Sequence, residues 1–184
     1  MYVITFLGSA PTIVVLTAVA ALVVLIAGRP RDAVLLVLAV IAGALFFELV
    51  TLLVHRPRPP LEDARIIQGG FSFPSGHSTL SATFYGTVAY LLIRGIPREW
   101  LKVLVGIVAA LLVLAIGVSR IYLGVHYPSD VLAGWAAGAL WIVLVIVAEQ
   151  VWAPRRLIPL SAARRRLTLG SAVALLLLAS VYLG

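Results

Sequence analysis

The sequence predicts an all-α membrane protein, a single domain over residues 1–184 that forms a polytopic bundle of about six transmembrane helices. Hydrophobic residues make up 62% of the chain and charged residues only 11%, whereas a soluble domain carries about 25% charged residues. The hydrophobic residues also fall into six separate runs, most of them close to the ~20 residues that a helix needs to cross a bilayer. The bilayer is therefore the expected solvent for this chain.

The six apolar runs are the predicted elements. Backbone N–H and C=O groups find no water in the hydrocarbon core, so each run is expected to be helical. The last run follows the part of the chain that carries the motifs described below, about residues 5–150. We therefore expect it to be an additional span. In chain order the runs cover residues 9–27, 33–54, 78–94, 101–119, 130–151 and 167–184.

The basic residues predict the orientation. Ten of the fourteen lie in the connections that follow the first, third and fifth runs, and short loops rich in arginine and lysine face the cytoplasm. The net charge of +7 is thereby explained by membrane topology, and no nucleic-acid partner is expected. The remaining four lie on the opposite, non-cytoplasmic face, where arginine is disfavoured and needs a local reason: Arg56, Arg58, Arg65 and Arg120.

Each span reverses the direction of the chain, so alternate connections lie on the same side of the membrane. This helix parity alone places three polar segments on the non-cytoplasmic face. They cover residues 55–60, 73–78 and 119–130. The first carries Arg56 and Arg58 among prolines that end the second helix and stiffen the chain. These segments therefore bring separate parts of the sequence to one end of the predicted bundle.

The second and third segments supply donors, imidazoles and a carboxylate. Pro74, Ser75 and Gly76 indicate a turn into a helix, where exposed N–H groups and the helix dipole form an anion site and Ser75 is a suitable cap. His77 follows directly. The third segment joins the fourth and fifth runs, and its polar residues are Ser119, Arg120, His126 and Asp130.

This set of residue types suits phosphoryl transfer. Arginine matches phosphate oxygens with two parallel hydrogen bonds, and backbone N–H groups add fixed donors. One histidine can attack phosphorus while the other protonates the leaving alcohol, and a carboxylate can orient the attacking imidazole. The only carboxylates on this face are Glu62, Asp63 and Asp130. We therefore expect metal-free catalysis without a cofactor.

The three segments resemble the type 2 phosphatidic acid phosphatase superfamily of lipid phosphate phosphatases, relatives of the vanadium haloperoxidases. The family pattern is Lys-x6-Arg-Pro, then Pro-Ser-Gly-His, then Ser-Arg-x5-His-x3-Asp. The second part is complete at residues 74–77 and the third at residues 119–130. The first part matches only at Arg58 and Pro59, because its lysine position falls on Thr51.

The resemblance implies a role for each residue. His126 would be the nucleophile that forms a phosphohistidine, Asp130 would orient it, and His77 would be the general acid. Phosphate would be bound by Arg58, Arg120, Ser75 and the Gly76 N–H group. The implied activity is hydrolysis of a phosphomonoester or diphosphate on a membrane lipid, of the phosphatidate, phosphatidylglycerophosphate or polyprenyl diphosphate class.

Thr51 is the departure from the family pattern. It removes one cation, and two alternatives follow: Arg56 supplies a replacement, or the phosphate is bound with one positive charge fewer. Glu48 lies on the same predicted helix face as Thr51 and is either adjacent to the site or engaged in a hydrogen bond between helices. Two other functions stay open, a lipid phosphotransferase and a catalytically inactive membrane binding or scaffold protein. An integral protein of the plasma membrane is expected, with its active site on the non-cytoplasmic face.

Overall fold

The fold consists of α-helices, and the longest connection between them, residues 55–75, joins α3 (Pro30–Val54) to α4 (Gly76–Ile93). The computed structural model describes residues 1–60, 62 and 64–152, and these ranges contain no strand. Three of the helices, α3, α5 and α6, are long and apolar enough to cross a membrane. The prediction of an all-α membrane protein is confirmed. The helices in chain order are α1 (Tyr2–Phe6), α2 (Ala10–Ile26), α3 (Pro30–Val54), α4 (Gly76–Ile93), α5 (Glu99–Tyr122) and α6 (Pro128–Trp152).

Helices α2 to α6 correspond to the first five apolar runs, with two differences from the prediction. The short helix α1 precedes them and was not predicted. Helix α5 continues to Tyr122, so Arg120 lies in a helix and not in a connection. Ser119 and Arg120 are buried there. The helix extends beyond the apolar run 101–119 because its last turn packs against other parts of the protein, not because that turn is apolar. The run at 167–184 lies outside the described residues.

Helix α4 occupies the centre of the bundle and packs against α2, α3, α5 and α6. Its buried positions include serines and threonines, which is why it is less apolar than its neighbours. The hydroxyl groups of Thr79, Thr83 and Thr87 each donate to the carbonyl four residues earlier, at 3.0, 2.9 and 2.7 Å. These bonds satisfy the buried hydroxyls within the helix itself.

Glycines on α6 allow α4 to approach closely. A Cβ atom at Gly134 would lie 2.8 Å from the Ser75 carbonyl oxygen, and one at Gly138 would overlap the Cβ atom of Ala82. Small residues at such positions let two helix backbones come into contact. The Ser75 N–H group then donates to the Asp130 carbonyl at 3.0 Å, which fixes the beginning of α4 against the beginning of α6.

The bundle has two polar ends. The site end comprises residues 55–60, 62, 64–78 and 119–130, which lead out of α3 and α5 and into α4 and α6. The distal end comprises residues 27–32 and 90–99 together with Glu149. The three segments singled out in the sequence all lie at the site end, as helix parity predicts.

Candidate active site

His126 lies in the connection between α5 and α6 with only 3% of its surface exposed. Its Nδ1 atom is 2.8 Å from the Ser72 carbonyl oxygen and its Nε2 atom is 3.1 Å from Nη1 of Arg58. A carbonyl can only accept, so Nδ1 carries the proton and Nε2 keeps its lone pair. Burial first, then the charges of Arg58 and Arg120, lower the pKa of His126 to about 3. The ring is therefore neutral at physiological pH.

Asp130 is fully buried at the start of α6, but its hydrogen bonds differ from the expected ones. Its Oδ2 atom is 3.7 Å from Nδ1 of His126, beyond hydrogen-bond distance. The Ser72 hydroxyl donates to Oδ2 instead, and the Tyr127 N–H group donates to the same oxygen at 2.9 Å. The connection between the carboxylate and the imidazole therefore runs through Ser72, whose carbonyl takes the place of a carboxylate at Nδ1.

Ser72 was missed by the sequence reasoning. It precedes the Pro-Ser-Gly-His motif, between two phenylalanines, where its residue type gives no catalytic signal. In the structure it is completely buried, and its N–H group donates to the Arg56 carbonyl at 2.8 Å. Only the folded loop reveals that Ser72 contacts both His126 and Asp130.

Arg58 stands directly beside His126. Its Nε atom donates to the Gly69 carbonyl at 3.0 Å and its Nη1 atom to the Val125 carbonyl at 2.9 Å. Among the described residues, no carboxylate lies at hydrogen-bond distance from this guanidinium, which instead donates to backbone oxygens. The resulting cation is held firmly next to the lone pair of the imidazole.

Arg120 is the most deeply buried cation of the site, with 2% of its surface exposed. Its Nη1 atom donates to the Thr5 hydroxyl at 2.6 Å, and Nη2 donates to the Gln68 side-chain oxygen. Its Nε atom is buried and has no partner among the residues that the structure describes. A buried unpaired donor on a cation is costly, and a bound anion would satisfy it.

The other predicted anion ligands surround the beginning of α4. Ser75 is the N-cap, and its hydroxyl oxygen accepts from the Ser78 N–H group at 3.4 Å. Gly76 leaves room for the ring of Phe47, since a Cβ atom there would lie 2.9 Å from it. His77 is half-buried, and within the described ranges its ring nitrogens have no hydrogen-bond partner.

Among the described residues, neither Arg56 nor Thr51 is hydrogen-bonded to Arg58, Arg120 or Ser75. The Nη1 atom of Arg56 donates to Oδ1 of Asp130 at 2.7 Å and to the Ser129 hydroxyl at 2.8 Å, and its guanidinium lies over the Tyr127 ring at 4.4 Å. These contacts all lead to the start of α6. The Thr51 hydroxyl is buried without a partner in the described part of the chain.

Glu48 is exposed on the outer surface of α3. It forms no hydrogen bond with the other described residues, so the bond between helices that its position suggested is not seen. Across the same ranges no three metal-ligating side chains come together. The polar groups of the site are thus mainly cationic or neutral, an arrangement suited to a bound anion.

Solved structures include a close match to this architecture. The crystal structure of a transmembrane PAP2-type phosphatidylglycerolphosphate phosphatase from Bacillus subtilis superposes with a TM-score of 0.77 at 30% identity, covering 83% of this chain and 76% of that one.

Curated proteins with related sequences are also lipid phosphatases by name. Phosphatidylglycerophosphatase B of Bacillus subtilis is 40% identical over 93 residues, which is 50% of this chain and 45% of the relative. An undecaprenyl-diphosphatase of Sulfolobus acidocaldarius is 44% identical over 72 residues, 39% of this chain and 30% of the relative. The chain thus spans less than half the length of these two relatives.

The family assignment rests on a longer match than either of these pairwise alignments. Residues 32–153, more than half of the chain, match the PAP2 superfamily. This range includes Arg58, His77, Arg120, His126 and Asp130, which the structure gathers at the site end. The chain belongs to the PAP2 superfamily.

Proposed function

We propose that this protein hydrolyses a phosphomonoester or diphosphate on a membrane lipid through a phosphohistidine intermediate. The observation that carries the proposal is the pair formed by His126 and Arg58. A neutral imidazole with its Nε2 lone pair free of a proton lies 3.1 Å from a guanidinium nitrogen of Arg58. Besides burial and the charge of Arg58, the charge of Arg120 also lowers the pKa of His126, and the buried Nε of Arg120 has no partner among the described residues. An electron-rich nitrogen and two cations together fit a phosphoryl group, which is both electrophilic and anionic.

The first step would transfer the phosphoryl group to the enzyme. The Nε2 lone pair of His126 attacks phosphorus, a P–N bond forms, and the P–O bond to the lipid alcohol breaks. The charge of the bound phosphate favours the protonated form of His77, and His77 gives that proton to the departing oxygen. Arg58, Arg120, the Ser75 hydroxyl and the Gly76 N–H group would hold the phosphate oxygens during this step.

The second step would release phosphate. His77, now neutral, accepts a proton from water while the water oxygen attacks phosphorus. The P–N bond breaks, and its electrons return to Nε2 of His126. The hydrogen bonds from Nδ1 to Ser72, and from Ser72 to Asp130, would keep the ring in one tautomer and one orientation through both steps.

The substrate class is the phosphorylated lipids, because the site lies at one end of a membrane-embedded bundle and its relatives are named for such lipids. The decisive experiment is phosphate release by the purified protein from phosphatidate, phosphatidylglycerophosphate and undecaprenyl diphosphate in detergent, with His126→Ala as the control. We expect release from at least one lipid and none from the control. Release from water-soluble phosphate esters alone would contradict the lipid substrate.

The reaction would proceed without a metal ion, because the carboxylates of the site end are few and Asp130 is engaged with Ser72, Tyr127 and Arg56. Activity should be unchanged in excess chelator, and vanadate should inhibit because it adopts the trigonal-bipyramidal geometry of the transferring phosphoryl group. Activity that disappears in chelator and returns with magnesium would contradict this mechanism.

The site end would face the non-cytoplasmic side of the plasma membrane, as the arginine distribution indicates. The chain has no cysteine, so single cysteines give a clean test. Glu62→Cys at the site end should react with an impermeant thiol reagent in intact cells, and Glu99→Cys at the distal end should not. Labelling of Glu99→Cys but not of Glu62→Cys would place the reaction on the cytoplasmic leaflet.

A further inference from the structure

A groove lies between α3 and α6, in the half of the membrane opposite the candidate active site. Its volume is about 580 Å³, within the range of ligand pockets in proteins. The walls are apolar and include the small side chains Ala39, Ala42 and Ala148. These alanines leave a gap between two helices that are in contact elsewhere along their length.

The groove is closed at its inner end by an aromatic contact. The Trp141 indole crosses from α6 and donates its N–H group to the Ala39 carbonyl at 2.8 Å. The Phe46 ring stacks on it with the centroids 6.0 Å apart. The lining residues of α3 run from Arg31 to Ala42, a distance of about 16 Å along the helix. That length matches one leaflet of a hydrocarbon core of about 30 Å.

Among the described residues, the mouth of the groove carries one cation without a carboxylate partner. Arg31, Asp32 and Glu149 line it. Both carboxylates are already paired, Asp32 with Arg29 at 2.5 Å and Glu149 with Arg94. Arg31 is exposed and has no carboxylate partner within the described ranges. An apolar channel of leaflet depth with a free guanidinium at its mouth is complementary to an amphiphile with a negative headgroup.

We propose that this groove binds an anionic phospholipid from the leaflet at the distal end, with one acyl chain between α3 and α6 and its phosphate on Arg31. The site is separate from the catalytic one, which lies at the other ends of the same two helices. The proposal does not depend on the reaction that the site end performs.

The test uses Trp141 as a reporter inside the groove. The full chain carries Phe in place of Trp100, Trp135 and Trp152, and it is placed in phosphatidylcholine nanodiscs that contain increasing fractions of a lipid with brominated acyl chains. Bromine quenches tryptophan fluorescence on contact. The two probes are brominated phosphatidylglycerol and brominated phosphatidylcholine, which differ in headgroup charge.

We expect half-maximal quenching of Trp141 at a mole fraction about fivefold lower for phosphatidylglycerol, roughly the effect of one basic residue on an anionic lipid. Arg31→Gln should remove this preference. Arg98→Gln is the matched control, because Arg98 is an exposed distal-end arginine that does not line the groove, and it should leave the preference intact. Ala42→Phe should weaken quenching by both lipids by filling the channel.

Three results would overturn the proposal. Equal quenching by the two lipids would mean ordinary contact with the surrounding bilayer. Absence of quenching by either lipid would mean that protein covers the groove, from residues 153–184 or from a second copy. An Arg31→Gln variant that keeps the preference for phosphatidylglycerol would show that Arg31 does not bind the lipid headgroup. Retained solubility and an unchanged emission maximum of Trp141 would show that each variant is folded.

Discussion

The two polar ends of the bundle use the same residue types in different ways. At the distal end Arg94 contacts two carboxylates, Asp32 at 3.4 Å and Glu149. At the site end Arg58 donates to backbone carbonyls, and Arg120 donates to a hydroxyl and an amide oxygen. Arg29 and Arg94 at the distal end are paired with acidic side chains, whereas Arg58 and Arg120 at the site end have no carboxylate at hydrogen-bond distance among the described residues.

The distal cluster is also satisfied at its other hydrogen-bonding positions. Arg29 donates to Asp32 at 2.5 Å, and the Tyr90 hydroxyl donates to Glu149 at 2.5 Å. At the site end the buried Nε of Arg120 has no partner among the described residues. Paired charges at the distal end hold helices together, whereas cations at the site end that lack a carboxylate partner among the described residues are suited to bind an anion. The predictions below test this division, beginning with the largest effect.

The first prediction concerns the nucleophile at the site end. His126→Ala should lower kcat/KM by roughly a thousandfold or more, because no other group can form the covalent intermediate. Phosphate release and the thermal unfolding midpoint, Tm, are measured on the same preparation, and the Tm should stay near that of the unchanged protein. A variant that keeps more than a few per cent of the activity would show that another residue attacks phosphorus.

The second prediction concerns the relay through Ser72. Asp130→Asn should lower kcat by about a hundredfold and Ser72→Ala by about tenfold, with little change in KM, because both act on the orientation of His126. The double variant should lose less than the product of the two effects, since both substitutions interrupt one hydrogen-bonded chain. A double variant whose loss of kcat equals the product of the two single losses would mean that Asp130 contacts the imidazole directly during turnover. A Ser72→Ala variant with full activity would mean the same.

The third prediction separates the two alternatives for the missing lysine. Because the contacts of Arg56 lead to Asp130 and Ser129, Arg56→Ala should lower kcat several-fold and leave KM nearly unchanged. Thr51→Lys should raise kcat/KM up to about tenfold by adding a charge-assisted contact to phosphate.

The control for this prediction is Thr51→Met, which adds length at the same position without charge. The Glu48→Gln background shows whether that carboxylate neutralises the new lysine. A tenfold rise in KM for Arg56→Ala would instead identify Arg56 as the replacement cation. If all these variants resemble the unchanged protein, position 51 does not face the phosphate.

The fourth prediction concerns the distal end. Arg94→Gln should reduce the free energy of unfolding by about 1–2 kcal/mol, less than for a fully buried pair because Arg94 is partly exposed. The kcat/KM value should stay within about twofold. Unfolding is followed by Tm in detergent, with Arg98→Gln as the control for an unpaired arginine. A large loss of activity at unchanged Tm would contradict the structural role of the distal cluster.

The fifth and smallest effect is a pH dependence of stability. The pKa of His126 is about 3 in the folded protein and about 6.5 when unfolded, so below pH 6.5 only the unfolded chain binds this proton. Acidification therefore destabilises the folded state, by about 1 kcal/mol at pH 5.5. His126→Gln should lose less stability than the unchanged protein between pH 7.5 and 5.5. An equal loss in both would contradict the buried neutral imidazole.

Sequence reasoning was most effective where a constraint is local or imposed by the membrane. The apolar runs predicted α2 to α6 because the bilayer leaves the backbone no alternative to a helix. Helix parity gathered Arg58, His77 and His126 at one end because each span reverses the direction of the chain. The capping role of Ser75 followed from residue type alone, and the structure confirms it.

The tertiary structure decided which partner each polar group meets. Sequence assigned Asp130 to His126, but the folded loop inserts Ser72 between them, and its carbonyl rather than a carboxylate fixes the imidazole proton. Sequence left open whether Arg56 replaces the missing lysine cation, and packing brought it onto Asp130. The partners of Arg120, Thr5 and Gln68, lie 115 and 52 residues away in the chain. Such pairings depend on how helices dock and on backbone atoms, which are the same for every residue type and leave no pattern in the sequence.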